Sequence, residues 1–148
     1  LGVTLYDRSR TPWRALARVG DVATALVDTR HRRIVLATMS GPEIRSADLD
    51  LGDLRTIDRV KIQRRNRNLV ATSDGVRVMD SDDGCPWLWR WVAEDAAARD
   101  AQCLGTVGWY LESVTYHQGQ NALYLSAIEQ METDIGLAPL SSFTVAKP

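Results

Sequence analysis

A continuous apolar run at residues 34–39, Ile-Val-Leu-Ala-Thr-Met, constrains the fold more than any other stretch of the chain. Its length and partly β-branched composition are typical of a buried strand. Residues 22–27 would then form a second strand, and the polar residues 30–33 would be the turn between the two. Periodicity alone, however, does not separate a short buried strand from a short buried helix.

The helical interpretation of residues 23–49 accounts for the pattern as well. Ser40-Gly41-Pro42 would end a helix, because glycine suits the position after the last turn and proline blocks continuation. A short helix would follow at residues 43–49. Near the start of the chain, Thr11-Pro12-Trp13 has the cap and first-turn residues of another helix. The residues leave both interpretations open.

Short motifs in residues 22–79 resemble winged helix-turn-helix repressors of the arsenic- and metal-sensing type. The motifs are Ala25-Leu26-x-Asp28, Arg32-Arg33-Ile34-Val35, Ser40-Gly41, Asp48-Leu49, Thr56-Ile57 and Leu69-Val70. The resemblance implies opening helices, a recognition helix that begins near Thr56, and a wing that turns at Asp74-Gly75. Lys61 and Arg64 depart from the family, whose recognition helix usually buries apolar residues there. No cysteine lies in the matched region, so metal sensing is not implied.

The clearest hairpin pattern of the chain lies just before its midpoint. Two apolar stretches, residues 69–72 and 76–79, flank Ser73-Asp74-Gly75. An Asp-Gly pair tolerates the positive φ that a tight turn demands. We therefore predict a β-hairpin here under either interpretation of the preceding residues.

The C-terminal half has apolar residues at helical spacing. Trp87 and Trp91 fall on one helical face, and Tyr124, Ile128 and Met131 form a later stripe. We therefore predict an α+β fold with two regions. Residues 1–80 form a basic helix-plus-hairpin, winged-helix-like region, or a β-rich one if the strand interpretation holds. Residues 81–148 form an acidic helical hairpin that serves in oligomerisation.

The net charge of −1 conceals a division between the two halves. Residues 1–79 contain fifteen Lys/Arg and nine Asp/Glu, whereas residues 80–148 contain three and ten. Such asymmetry indicates either contact with nucleic acid by the basic half or mutual neutralisation of the halves. The most basic segment supplies the candidate nucleic-acid contacts, because arginine pairs bidentately with phosphates and guanine edges. The candidates are Arg55, Arg59, Lys61, Arg64, Arg65 and Arg67.

The apolar surface of the C-terminal half exceeds what a lone helical hairpin can bury, so we predict an oligomer. The candidate interface residues are Trp87, Trp91, Tyr124, Ile128 and Met131. The partners are further copies of the chain or other protein subunits.

The sequence contains no recognisable arrangement for catalysis. His31 and His117 lack a serine, cysteine or carboxylate at catalytic spacing, and no phosphate-binding glycine loop is present. Cys85 and Cys103 form no disulfide framework and lack zinc-ligand spacing, and we predict two small buried or half-buried thiols. We therefore predict no enzyme, no cofactor and no metal site. No apolar run is long enough to span a membrane, and a cytoplasmic location is the default.

Two functions remain open from the sequence. The first is a DNA-binding protein, either a transcription regulator or a viral DNA-packaging adaptor. Residues 135–142 resemble the close of phage small terminase subunits, which favours the adaptor. The second is a structural or assembly protein, located in the virion if viral, with a β-rich N-terminal half. Strands at residues 22–39 and 59–79 would favour the second function.

Overall fold

The computed structural model describes residues 1–9, 11–61, 69–105, 110–120, 122–133 and 136–146. These residues form thirteen β-strands and two single 3₁₀ turns, at Ala96–Ala98 and Gln118–Gln120. The strands are β1 (Gly2–Asp7), β2 (Arg14–Gly20), β3 (Val22–Asp28), β4 (Arg33–Thr38), β5 (Glu43–Asp48), β6 (Arg55–Arg59), β7 (Leu69–Thr72), β8 (Gly75–Asp82), β9 (Cys85–Trp91), β10 (Gln102–Gly105), β11 (Tyr110–His117), β12 (Ala122–Thr133) and β13 (Gly136–Ala146).

The predicted α+β fold is wrong, because the described residues contain no α-helix. The helix predicted after Thr11 is replaced by β2, and the helix predicted at residues 43–49 is replaced by β5. The predicted C-terminal helical hairpin is a set of strands, β9 to β13. The helices that the repressor resemblance implied over residues 22–49 and near Thr56 are strands as well.

One hairpin prediction is confirmed, and one of the two interpretations left open for residues 22–39 proves correct. The strand interpretation of residues 22–27 and 34–39 corresponds to β3 and β4, which pair with each other. The hairpin around Asp74-Gly75 corresponds to β7 and β8, where Thr72 pairs with Gly75. Gly75 has a φ of 136°, a conformation that favours glycine.

The strands form four antiparallel sheets in chain order. Sheet I contains β1 and β2, sheet II β3 to β6, sheet III β7 to β10, and sheet IV β11 to β13. Within each sheet every strand pairs with the next one along the chain, so each sheet is a meander. The predicted division between residues 80 and 81 falls within β8, inside sheet III.

Each sheet contacts the next through its first strand. β1 lies against β3, β3 against β7, and β7 against β11. The first strands therefore lie side by side, and the later strands of each sheet extend away from them. Successive antiparallel meanders arranged in this way resemble the blades of a β-propeller, which repeat radially around a centre.

Three apolar cores lie between the four sheets, one between each sheet and the next. Core I/II contains buried Val19, Val22, Leu36 and Leu51 with half-buried Val3, Leu5, Ala17 and Ile34. Core II/III contains Val35, Ala37, Ile44, Ile57, Val60, Leu69, Val76, Val78 and Val92. Core III/IV contains Val70, Met79 and Trp89 with Trp87, Leu104, Val114 and Tyr116.

The strands of sheets II and III alternate between two cores. In β4, Val35 and Ala37 pack into core II/III, whereas Leu36 packs into core I/II. In β8, Val78 packs into core II/III and Met79 into core III/IV. Because successive residues point to opposite faces and both faces are buried, these strands are apolar throughout. The sequence of such a strand therefore shows no alternation of apolar and polar residues. This explains why the same residues also fitted a helix.

A buried ionic cluster joins sheets II and III. The Arg90 guanidinium is 3% exposed and lies between the carboxylates of Asp58 on β6 and Asp80 on β8. Its Nη1 donates to Asp58 Oδ2 at 2.6 Å, and its Nη2 donates to Asp80 Oδ2 at 2.9 Å. Burial opposes the charge of Arg90, but the hydrogen bonds with Asp58 and Asp80 raise its pKa above the ordinary value. The guanidinium therefore stays charged between its two partners.

The carboxylates of Asp58 and Asp80 also accept hydrogen bonds from other groups. Asp58 Oδ1 lies 2.9 Å from Arg99 Nη2 and accepts the backbone N–H of Arg59 at 2.7 Å. Asp80 Oδ1 accepts the backbone N–H of Lys61 at 2.7 Å. Since Lys61 follows β6 and Asp80 belongs to β8, this bond also connects the two sheets. The cluster thus meets the demand that buried charges be paired and hydrogen-bonded.

Replacing Arg90 with methionine is expected to lower the free energy of unfolding by about 3–5 kcal/mol, because two buried carboxylates lose their partner. Urea unfolding measures the change. The matched control is Arg30→Met, since Arg30 forms an exposed 3.1 Å pair with Asp74. That control should cost less than about 1 kcal/mol. Equal effects of the two substitutions would contradict the structural role of the cluster.

A disulfide joins Cys85 on β9 to Cys103 on β10, so the prediction of two thiols is wrong. The antiparallel pairing of β9 with β10 brings the two Cα atoms to 5.8 Å, within the range that a disulfide spans. A separation of 18 residues along the chain had given no sign of this proximity.

Removing this disulfide by the double substitution Cys85→Ser and Cys103→Ser is expected to lower the free energy of unfolding by about 3 kcal/mol. A loop of this length gains roughly that much from restriction of the unfolded chain. Thermal melts with and without dithiothreitol measure the effect. The reductant should lower the Tm of the parent toward that of the variant and leave the variant unchanged; a parent insensitive to the reductant would contradict the bond.

The described part of the chain contains no helix that is long and apolar enough to cross a membrane.

Candidate interaction surface

The predicted nucleic-acid contacts that lie within the described residues each face a carboxylate. The pairs are Arg55 with Glu94 (4.0 Å), Arg59 with Glu43 (3.3 Å), and Lys61 with Asp82. Such exposed pairs contribute little to stability, but they reduce the positive potential that attracts phosphates. The remaining predicted contacts, Arg64, Arg65 and Arg67, lie outside the described residues.

Glu43 is the carboxylate that neutralises Arg59. The hydrogen bond from Arg45 to Glu43, at 2.8 Å, is the main reason that the pKa of Glu43 lies below its ordinary value. Arg59 and Thr56 act in the same direction. Glu43 is therefore ionised at neutral pH and remains a partner for Arg59.

The predicted interface residues Trp87 and Trp91 lie on β9, with Trp89 between them. Trp89 is 1% exposed and fills core III/IV, and Trp87 packs against the same core. The Arg77 guanidinium lies 3.8 Å from the ring centroid of Trp91. On a helix, Trp89 would lie on a different face from Trp87 and Trp91. In the strand β9 the three residues lie on one face, because positions two apart share a face of a strand. Trp87 is thus engaged in packing within the chain.

The other predicted interface residues, Tyr124, Ile128 and Met131, lie on β12. Tyr124 is half-buried, and its hydroxyl donates to Gln120 Oε1 at 2.7 Å. The side chains of Ile128 and Met131 lie outside the described part of the structure. Their placement on one helical stripe is wrong, because a strand has no such stripe.

A cleft of about 340 Å³ lies between sheets II and III on the side of the β3–β4 and β7–β8 turns. His31 lines it beside Asp74, Gly75 and Trp91. The buried carboxylate of Asp28 lies next to His31 and accepts the His31 Nδ1–H at 2.8 Å. A buried carboxylate in this position orients an imidazole and fixes its tautomer.

Asp28 accepts two further hydrogen bonds, from Arg33 Nε at 3.0 Å and from the backbone N–H of His31 at 3.2 Å. Burial acts to raise the pKa of Asp28, but the hydrogen bonds from His31 and Arg33 outweigh it and hold the pKa below the ordinary value. The Asp28 carboxylate therefore stabilises the turn between β3 and β4. Among the described residues, no group of three or more His, Cys, Asp or Glu side chains is arranged to hold a metal ion.

Replacing Asp28 with asparagine is expected to lower the free energy of unfolding by about 1–3 kcal/mol at pH 7, because three donors lose a charged acceptor. Since the folded pKa is depressed, this stabilisation is present above the unfolded pKa of about 3.9. It is lost as the pH falls through the folded value. Urea unfolding at pH 7 and below pH 4 should therefore show a difference between parent and variant that shrinks in acid.

The control for this measurement is Asp50→Asn. Asp50 is exposed, and its carboxylate accepts only the nearby backbone N–H of Gly52 in the described structure, at 3.0 Å. The asparagine amide oxygen accepts the same bond. This variant should resemble the parent at both pH values. A difference for Asp28→Asn that is independent of pH would contradict the assigned ionisation.

The outer face of sheet I carries large exposed apolar side chains. We call this surface the end face and define it by Tyr6, Arg8, Trp13, Leu16 and Arg18. Tyr6 is 49% exposed, and Trp13 and Leu16 are each 57% exposed. The rings of Tyr6 and Trp13 lie 6.4 Å apart, and the Arg8 guanidinium covers Trp13 at 4.8 Å. The end face is therefore a cationic surface with an aromatic centre.

Sequence patterns did not indicate the end face, because Thr11-Pro12-Trp13 were interpreted as the start of a helix. In the strand β2, Ala17 and Val19 face core I/II and Arg18 lies between them on the other face. The position of charged Arg18 between apolar Ala17 and Val19 is the signal of a two-faced strand that the sequence offered. No family model matches this chain, and no curated protein matches it.

Proposed function

We propose that this protein is a non-enzymatic structural subunit of a multi-protein assembly, attached through the end face. The observation that carries the proposal is the exposure of Tyr6, Trp13 and Leu16 on one side of a sheet whose other side is packed. Contiguous exposed apolar surface with a polar margin marks interaction sites in soluble proteins. Aromatic residues beside arginine are also the composition that dominates binding energy at protein interfaces.

The architecture supports this proposal. Within the described residues, sheets II and III each have both faces covered by a neighbouring sheet, whereas one face of sheet I is covered by sheet II. Sheet I also has only two strands within the described residues. A two-stranded sheet is marginally stable by itself, so a partner that packs on the end face adds stability as well as contact.

The basic segment gives less support to the DNA-binding alternative. Arg55, Arg59 and Lys61 face carboxylates, which favours neutralisation within the fold. Contact of Arg64, Arg65 and Arg67 with nucleic acid stays a prediction. It does not depend on the end face, so the two functions are separable by mutation.

The test replaces Tyr6, Trp13 and Leu16 with serine in the tagged full chain, expressed in the cell that naturally produces it. Native size fractionation should find the parent in a complex well above its own 16.5 kDa, with fixed stoichiometry. The triple variant should migrate as a monomer. Its fold should be intact, because side chains that are half exposed contribute little to the core.

A matched control replaces three other exposed apolar residues, Met39, Leu49 and Leu54, with serine. These residues lie outside the end face, and the control should remain in the complex. A parent that migrates as a monomer would overturn the proposal. So would an end-face variant that stays in the complex with an unchanged melting curve.

A further inference from the structure

The two strands of sheet I place no acidic side chain on the end face. In the register of β1 and β2, Val3 lies opposite Val19, and Thr4 lies opposite Arg18. Val3 and Val19 pack into core I/II, so the adjacent positions, Thr4 and Arg18, lie on the outer side. Asp7 is the one acidic residue of these strands, and it lies four positions from Val3, on the inner side. The strands therefore offer no carboxylate to balance the cations of the end face.

The cations of the end face also differ from those of the basic segment. Within the described residues, no carboxylate lies within ion-pair distance of Arg8 or Arg18, and both are exposed. Arg55, Arg59 and Lys61, in contrast, each face a carboxylate. The charge of Arg8 and Arg18 is therefore available to a molecule that packs on the end face.

We propose that the partner at the end face is a different protein with an acidic surface, whose carboxylates meet Arg8 and Arg18. The inference rests on the proposed function and names the chemistry of the partner that this function requires. Packing over Tyr6, Trp13 and Leu16 removes water from the two guanidinium groups, which strengthens their attraction to carboxylates. Arginine suits such a contact, because its planar guanidinium binds a carboxylate through two parallel hydrogen bonds.

Charge disfavours a second copy of the same face as the partner. A symmetric dimer, the commonest assembly of identical chains, would place the end face of one copy on that of the other. Arg8 and Arg18 would then meet only the cations of the other copy, and like charges brought together in an interface are strongly destabilising. The two arginines therefore reject one partner and attract another, which gives the surface its specificity.

Nucleic acid is the other class of anion that arginine binds, and the end face fits it less well. Proteins that bind DNA through its phosphates commonly make on the order of six to ten such contacts, more than Arg8 and Arg18 supply. The Arg8 guanidinium also covers the Trp13 ring at 4.8 Å, where a base would otherwise stack. Leu16, which is 57% exposed, suits an apolar protein surface and offers nothing to a phosphate.

The test compares three double variants of the tagged full chain, each expressed in the cell that naturally produces it. Arg8→Lys with Arg18→Lys keeps both charges, the glutamine pair removes them, and the glutamate pair reverses them. Serial dilution of the isolated complex, followed by native size fractionation, gives the relative Kd. The Kd should rise by less than about tenfold for lysine, by about tenfold for glutamine, and by about a hundredfold or more for glutamate.

The matched control is Arg30→Glu with Arg32→Glu. It reverses two exposed charges in the turn between β3 and β4, outside the end face, and should leave the complex intact. Circular dichroism melts establish that each variant is folded. Raising ionic strength from ~50 mM to ~500 mM should raise the Kd of the parent complex by about tenfold, because exposed charges are screened. The complex of the glutamine variant should respond much less.

Carbodiimide coupling identifies the group that lies opposite Arg18. The reagent joins an amine to a carboxylate in contact with it, and the parent sequence has only two lysines, Lys61 and Lys147. The Arg18→Lys variant places a new amine on the end face. Mass spectrometry should find an amide bond from position 18 to an aspartate or glutamate of the partner. Arg32→Lys is the control and should give no bond to the partner.

Four results would overturn the acidic protein partner. A parent complex that resists both salt and the glutamate pair, but is lost when Tyr6, Trp13 and Leu16 become serine, would refute it and leave the assembly function standing. A complex that nuclease digestion dissolves would identify nucleic acid at the end face. Self-association of the purified parent through the end face would identify a second copy. A parent that is monomeric in its own cell would refute both proposals.

Discussion

The need to cover both faces of an apolar sheet organises this structure. In β4, Val35 points into one core and Leu36 into another, so sheet II requires a neighbour on each side. The same holds for Val78 and Met79 in sheet III. Sheets with two apolar faces are stable only inside a stack, because either face left in water loses its hydrophobic contribution. The order of sheets along the chain then becomes their order in space.

Apolar contact alone would allow one sheet to slide over the next, since it has no direction. The Arg90 guanidinium removes this freedom between sheets II and III, because its hydrogen bonds to Asp58 and Asp80 have defined geometry. Both carboxylates would be costly in the core without Arg90. The cluster therefore sets how the two sheets are placed, and the Asp28 carboxylate in sheet II plays a smaller, local part of the same kind.

An exposed charged side chain that has no ion-pair partner within the fold indicates a surface that contacts other molecules. Most basic residues of sheet II face a carboxylate, as Arg59 faces Glu43. Among the described residues no carboxylate lies within ion-pair distance of Arg8 or Arg18, and the Arg8 guanidinium lies 4.8 Å from the ring centroid of exposed Trp13. This combination supports the proposed assembly role of the end face.

The sequence by itself determined the β7–β8 hairpin, because Asp74-Gly75 suits a tight turn that requires positive φ. Residues 34–39 had the composition of a buried strand but were equally compatible with a buried helix. Only the tertiary structure decided between strand and helix there and elsewhere, because strands buried on both faces show no apolar–polar alternation. It alone decided the cluster around Arg90, the partner of Cys85 and the exposure of the end face. These depend on which sheets lie side by side, and no short-range pattern in the chain records that.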